Sequence, residues 1–129
     1  LVPWAGGTET PVRTLPELVR DTKPFASDVI EKLPPRGDSY VSWTHYAQRL
    51  LYTHHGYSWR PTAIVEGGEG WAVMGELTLG DEIYGAVGED KTPTAAESNA
   101  FKRACAKAGI GLHLYDHYWL HRELEKQEA

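Results

Sequence analysis

Apolar positions along the chain shift from a period near 3.6 to a period of 2 and back, and those shifts divide it into elements. Trp43, Ala47, Leu50, Leu51 and His54 fall at i, i+4, i+7, i+8 and i+11, one stripe of a helix over residues 43–54. Ser42 or Thr44 can cap its start, and Gly56 can close it. The alternation then shortens. Trp59 to Val65 reads as a strand confined to a sheet edge or bulged, because Pro61 cannot donate to a ladder. After the turn Gly67-Gly68-Glu69-Gly70, residues Trp71, Val73, Gly75, Leu77 and Leu79 share one face. Ala72, Met74, Glu76 and Thr78 share the other. Gly80-Asp81 suits a two-residue hairpin turn, and Ile83, Gly85 and Val87 continue the apolar alternation. These three strands predict an antiparallel meander.

Helical spacing returns at Thr94 to Ala108, with Pro93 before it, a capping-box pattern Thr94-Ala95-Ala96-Glu97, and Gly109 as the stop. Asp116 can cap a last helix running toward Lys126. Upstream, Pro16–Arg20 and Pro24–Ile30 show two short helical patterns, each with Pro in its first turn, and Pro34-Pro35-Arg36-Gly37-Asp38 reads as a loop. Leu1 to Thr14, with Gly6-Gly7 and two prolines, reads as a loose N-terminal leader. Residues 15–129 then make a single α+β domain, a three-stranded antiparallel meander with helices packed on one side.

Composition changes this picture little. At 129 residues the chain is long enough for one modest core. No apolar run is long enough for a membrane helix, and no basic-then-apolar segment opens the chain. Cys105 is the one cysteine, so no internal disulfide can form, which fits a reducing compartment. A formal charge of -5 leans against a polyanionic partner, and any such site must gather its cations on one face.

The helix at 94–108 separates its residues in that way. Phe101, Ala104, Cys105 and Ala108 form an apolar stripe flanked by Ala100, and Asn99, Lys102, Arg103, Ala106 and Lys107 take the opposite side without an acid. Arg103 and Lys107 are like charges at i, i+4, a small cost that a phosphate between them would reverse. A merely solvated basic face fits the same spacing.

Glu97-Ser98-Asn99-Ala100-Phe101-Lys102-Arg103-Ala104-Cys105, followed by Gly109-Ile110-Gly111 and Leu114-Tyr115, resembles the hallmark helix of the Rad fifty-two type single-strand annealing proteins, phage and bacterial members included. Tyr40-Val41-Ser42 and the exit His55-Gly56-Tyr57-Ser58-Trp59 are similar to that family's first core helix, and the resemblance spans roughly Phe25 to Tyr118. It implies a ring or helical homo-oligomer whose subunits share an external groove for single-stranded DNA. The implied function is ATP-independent annealing of complementary strands in recombination and repair. It implies a cytoplasmic location in a bacterial or phage-infected cell, and a single-stranded-DNA-binding protein as a further partner. Lys102 and Arg103 match the family's groove-lining pair. Lys32 matches a basic residue just before the loop that precedes the first core helix, and Arg36 lies in that loop beside it. Lys107 falls off the family pattern, whose basic position corresponds to Ala106, and joins the set as a geometric neighbour. The acidic balance also departs from the family and implies weak or salt-sensitive binding.

Two other readings share these residues. A double-stranded RNA-binding module has the same element order, but it concentrates lysines near the start of its final helix, where this chain has Glu97 and no cation. A structural oligomer that keeps the fold without binding DNA would suit the net charge. His113, His117 and His121 at i, i+4, i+8, near Asp116 and Glu123, are the sole metal candidates, without the His-Glu-x-x-His pattern of a zinc protease. The expectation is no metal, no cofactor and no enzymatic chemistry. No nucleophile–base set or phosphate-binding loop stands out. Trp43, Trp59, Trp71, Tyr57 and Tyr84 can stack on bases, but their spacing fits core packing better.

Overall fold

A computed structural model describes residues 13–129. The leader expected at 1–14 therefore lies almost wholly outside the described residues. Its last two members are ordered parts of the fold. Thr14 caps α1 (Leu15–Thr22) in a capping box with Glu17, and Arg13 is buried in an ion network. The second upstream helix is reduced to a single 3₁₀ turn, Ser27–Val29.

The expected loop at Pro34 is the turn of a small hairpin, β1 (Glu31–Leu33) with β2 (Asp38–Tyr40), paired Glu31 to Tyr40. Three-residue strands exposed on both faces carry no alternation to read. Helix α2 (Trp43–Thr53) starts at Ser42, whose hydroxyl accepts from the Thr44 N–H. Its buried face matches the expected stripe only in part, at Leu50 and at Ala47, which packs against the core. Tyr46 and Leu50 are buried, whereas Trp43 and Leu51 are exposed, because the helix is rotated to set Tyr46 against Phe25 and Phe101. The Arg49 guanidinium lies over the Phe25 ring, 4.3 Å from its centroid, and donates to the carbonyls of Lys23 and Pro24.

The meander forms as expected: β3 (Ser58–Gly67), β4 (Gly70–Leu79) and β5 (Glu82–Asp90), in that order across the sheet. The ladder between β3 and β4 slips between Pro61 and Ala63, where proline removes a donor. On β4 the inner face is Val73, Gly75, Leu77 and Leu79, as read. On β5 it is the reverse of the expectation. Ala86 and Gly88 are buried and Tyr84 is half-buried, while Ile83 and Val87 point to the opposite side, Ile83 64% exposed. The pairing Leu77 to Tyr84 and Val73 to Gly88 fixes this, since paired residues share a face. Both faces of β5 are apolar, so the alternation alone could not choose. The helices sit on one side. Val65, Met74, Ile83 and Val87 lie exposed on the other, with no helix over them among the described residues.

Helix α3 (Pro93–Lys107) packs along β4 and β5. Thr92, not Thr94, is its cap, accepting from the Ala95 N–H with Pro93 in the first position. Glu97 is thereby freed from the expected capping box. Ala96, Ala100 and Ala104 are fully buried, and Ala106, expected on the basic side, is buried too. Small residues bring helix and strand together: a Cβ on Gly88 would lie 2.2 Å from both the Ala96 carbonyl oxygen and the Ala100 nitrogen. Gly109, at φ +99°, ends the helix, and the Ile110 N–H returns to the Cys105 carbonyl. After it come α4 (His113–Asp116) and α5 (Trp119–Glu128), with Asp116 accepting from the Leu120 N–H. No described helix is long and apolar enough to cross a membrane.

Candidate nucleic-acid interface

The five cations singled out in the sequence separate into two groups on either side of α3. Lys102 leans toward the start of α2. Its ammonium lies 4.0 Å from the centroid of the Tyr40 ring and donates to the Val41 carbonyl at 3.4 Å. Burial lowers the Lys102 pKa from its ordinary value, a shift that a bound phosphate would oppose. Tyr40 ends β2, so Lys102 meets the hairpin that carries the next two cations. Lys32 donates to the Ser39 hydroxyl at 2.7 Å across the hairpin. Arg36, in the turn, pairs with Asp38 at 2.7 Å, and both are exposed.

The second group lies over the outer rim of β5. Hydrogen-bonded pairs recur at every second residue from the hairpin end, Leu79 to Glu82, then Leu77 to Tyr84, then Gly75 to Ala86. The carbonyls of Gly85, Val87 and Glu89 therefore point away from β4, along an edge with no further strand. Each takes a side-chain donor from α3. Asn99 Nδ2 donates to Glu89 at 3.0 Å, Arg103 Nη1 to Val87 at 2.7 Å, and Lys107 Nζ to Gly85 at 2.5 Å. The match is geometric. Residues four apart on a helix rise by about 6 Å, and residues two apart on a strand advance by about 6.6–6.8 Å. The helical spacing of Asn99, Arg103 and Lys107 was visible in the sequence. The rim that receives them was not, because it depends on which face of β5 turns inward.

Among the described residues, neither Lys32, Lys102, Arg103 nor Lys107 has a carboxylate partner. Their acceptors are a hydroxyl, three backbone carbonyls and an aromatic ring. Arg36 is the exception.

The three C-terminal histidines do not converge. His113 is buried and accepts the Phe25 N–H on Nε2 at 3.1 Å, and its Nδ1 has no hydrogen-bond partner among the described residues. Burial lowers its pKa, and the Arg49 charge adds to the shift. His117 takes the left-handed conformation that separates α4 from α5. His121 Nδ1 lies 3.0 Å from the Thr22 hydroxyl and Nε2 lies 3.4 Å from Glu125. The helix break at His117 destroys the i, i+4, i+8 register that a single helix would have supplied.

Sequence reasoning missed two features. One is the buried Asp21 network, whose members come from four separate segments. The other is an aromatic cavity between α2, β3 and α3, to which Glu97 turns: Trp59 Nε1 donates to its carboxylate at 3.1 Å. Trp59, Tyr57, Trp71 and Tyr84 pack against the cores, in keeping with the packing role. Trp43 stands 47% exposed at the cavity. Comparison with family models, with curated proteins and with solved structures finds no match to this chain.

Proposed function

We propose that this chain binds single-stranded DNA through Lys102, Arg103 and Lys107 of α3 with Lys32 and Arg36 of the β1–β2 hairpin, and that as a homo-oligomer it anneals complementary strands without ATP. The observation that carries the reading is the uncharged company these cations keep: four of the five rest on hydroxyl, carbonyl or ring acceptors among the described residues. A phosphate oxygen displacing a neutral carbonyl adds ion-pair attraction to a bond whose donor is already charged. Displacement releases no carboxylate into the groove to repel the incoming strand. The resemblance of the α3 sequence to the Rad fifty-two type proteins supports the same reading.

Annealing breaks no covalent bond. It requires two polyanions to approach and their bases to remain free to pair. Cations that hold phosphates lower the repulsion through counterion release and are indifferent to base sequence. Repetition around an assembly multiplies weak contacts of single subunits through effective concentration. The groups on the two sides of α3 act together only where the groove runs from one subunit into the next.

The test is a strand-annealing assay with complementary oligonucleotides, paired with mass measurement in the same buffer. Wild type forms an oligomer and accelerates duplex formation, and Lys102→Glu with Arg103→Glu abolishes strand binding while the assembly keeps its mass. A stronger response to duplex RNA than to single-stranded DNA overturns the reading in favour of an RNA-binding module. One observation favours a second reading. Asn99, Arg103 and Lys107 satisfy an exposed sheet edge that would otherwise be open to strand addition, a structural task in itself. A wild-type oligomer that binds no single strand would select that structural reading, and unchanged strand binding in the charge-reversed protein would overturn the assignment to these cations.

A further inference from the structure

The cavity framed by α2, β3 and α3 lies apart from the cations assigned to DNA, and its chemistry is different. It has a volume of about 210 Å³, below the roughly 300 Å³ at which drug-sized ligands begin to fit. Trp43, Tyr57, Trp59 and Phe101 supply most of its wall. Its polar groups are Glu97, Ser98 and Thr94, from the first two turns of α3, with the Tyr57 hydroxyl and the Trp59 indole N–H. Among the described residues Glu97 is the sole charged side chain that lines it, and no cation does.

Glu97 is held in place. The Trp59 indole donates to Oε2, and Trp59 is itself fixed by an edge-on contact with Phe101 at 5.4 Å and by Gly75, where a Cβ would lie 2.4 Å from the ring. The second carboxylate oxygen has no hydrogen-bond partner among the described residues. Two of the leading N–H groups of α3 are occupied elsewhere, since Thr92 accepts from both Ala95 and Ala96. The cavity is therefore a pocket of aromatic rings with one anchored negative charge and few acceptors.

From this we infer that the cavity is a binding site for an alkylated ammonium group, enclosed by Trp43, Tyr57 and Trp59 and balanced by the Glu97 carboxylate. The faces of aromatic rings carry negative potential that attracts a cation, most strongly for Trp. An alkylated ammonium needs almost no hydrogen-bond acceptors, which suits a wall this apolar. A guanidinium would bring five donors to a site whose lining residues carry one carboxylate, already bonded to Trp59, and three hydroxyls. A nucleobase with its phosphate would have to approach a carboxylate unaided by any lining cation. The same head group occurs free, as in choline, or on a chain, as in trimethyllysine.

The inference does not depend on DNA binding. With the full chain, the Trp59 indole N–H signal is followed by heteronuclear NMR during titration with choline, with a trimethyllysine peptide, and with 3,3-dimethylbutan-1-ol, the neutral isostere of choline. The expected result is saturable movement with at least one of the two cations and none with the alcohol. Whichever cation saturates at lower concentration identifies the source. Glu97→Gln retains an acceptor for Trp59, and Trp43→Ala alters a half-exposed residue. Each should weaken binding about tenfold, Trp43→Ala by removing a ring face and Glu97→Gln by removing the opposing charge. Equal movement by the alcohol, or no saturable movement with either cation, overturns the assignment.

Discussion

Two sets of basic side chains in this molecule do opposite things. Around Asp21, which is 0% exposed, the chain gathers Arg13 at 3.0 Å, Arg20 at 3.1 Å and His54 at 2.9 Å. Arg13 also donates to the Ala108 carbonyl at 2.7 Å and to the Tyr84 hydroxyl at 3.0 Å, and its Nε lies 3.0 Å from Glu82 as a charge contact without hydrogen-bond alignment. Along α3, by contrast, Lys102, Arg103 and Lys107 rest on neutral acceptors. The first set ties α1, α2, β5 and the end of α3 into one body, and none of its charge is left for a ligand. The second set keeps its charge. A net charge of -5 thus says little about the surface a strand would meet, because part of the basic inventory is consumed inside.

The largest effect expected from breaking this contrast is at Asp21. Burial alone would raise its pKa, but hydrogen bonds from Arg20, His54 and Arg13 outweigh that and hold it below the ordinary carboxyl value. Asp21→Asn leaves the buried Arg13 charge without its main partner and should cost about 3–5 kcal/mol in urea unfolding. With a folded pKa below the unfolded one, this contribution is complete above the unfolded value near 3.8 and is lost as pH falls through the folded value. Acid unfolding of the wild type should therefore be steeper below that point than in the variant.

Next in size is Gly88→Ala, which forces β5 away from α3 and should destabilise by about 1–3 kcal/mol as an overpacked contact. Because it shifts the rim relative to Asn99, Arg103 and Lys107, it should also raise hydrogen exchange at residues 85–89 beyond that of the rest of the sheet. A milder dependence comes from His113. Its pKa is lowered in the folded state, so stability is complete above the unfolded value near 6.5 and declines as pH falls from there. His113→Gln, which retains an acceptor for the Phe25 N–H, should flatten the unfolding midpoint between pH 7 and pH 5. The smallest effect on stability belongs to the exposed row. Arg103→Gln with Lys107→Gln keeps N–H donors for Val87 and Gly85 and should change unfolding free energy by no more than about 0.5 kcal/mol.

Much of this architecture was legible in the sequence wherever a local rule decided it. Pro61 marked the slipped strand, Gly80-Asp81 the hairpin and Gly109 the end of α3, while Asp116 ends α4 and accepts from the Leu120 N–H of α5, whose N-cap is Tyr118. What escaped depended on pairing between distant segments. The inner face of β5 could not be chosen because Ile83 and Val87 are as apolar as the residues that replace them inside. The β1–β2 hairpin has no buried residue to give it a period. Asp21 looks like any acid in a polar helix until Arg13 and His54 are brought to it. The cations of the candidate interface were found by spacing, but spacing could not separate Lys102 from Arg103 and Lys107, which α3 directs to opposite sides.

The central claim is that the α3 row is free to exchange neutral acceptors for phosphates, and the salt dependence of strand binding tests it most directly. Affinity for a fluorescent single-stranded oligonucleotide is measured from 50 to 200 mM salt for wild type and for Arg103→Gln with Lys107→Gln. The account predicts measurable binding by wild type and, in the variant, a log–log salt slope shallower by about 1.4, two phosphate contacts at about 0.7 each, with the fold intact. Identical slopes for the two proteins, or no binding by wild type at the lowest salt, would contradict it.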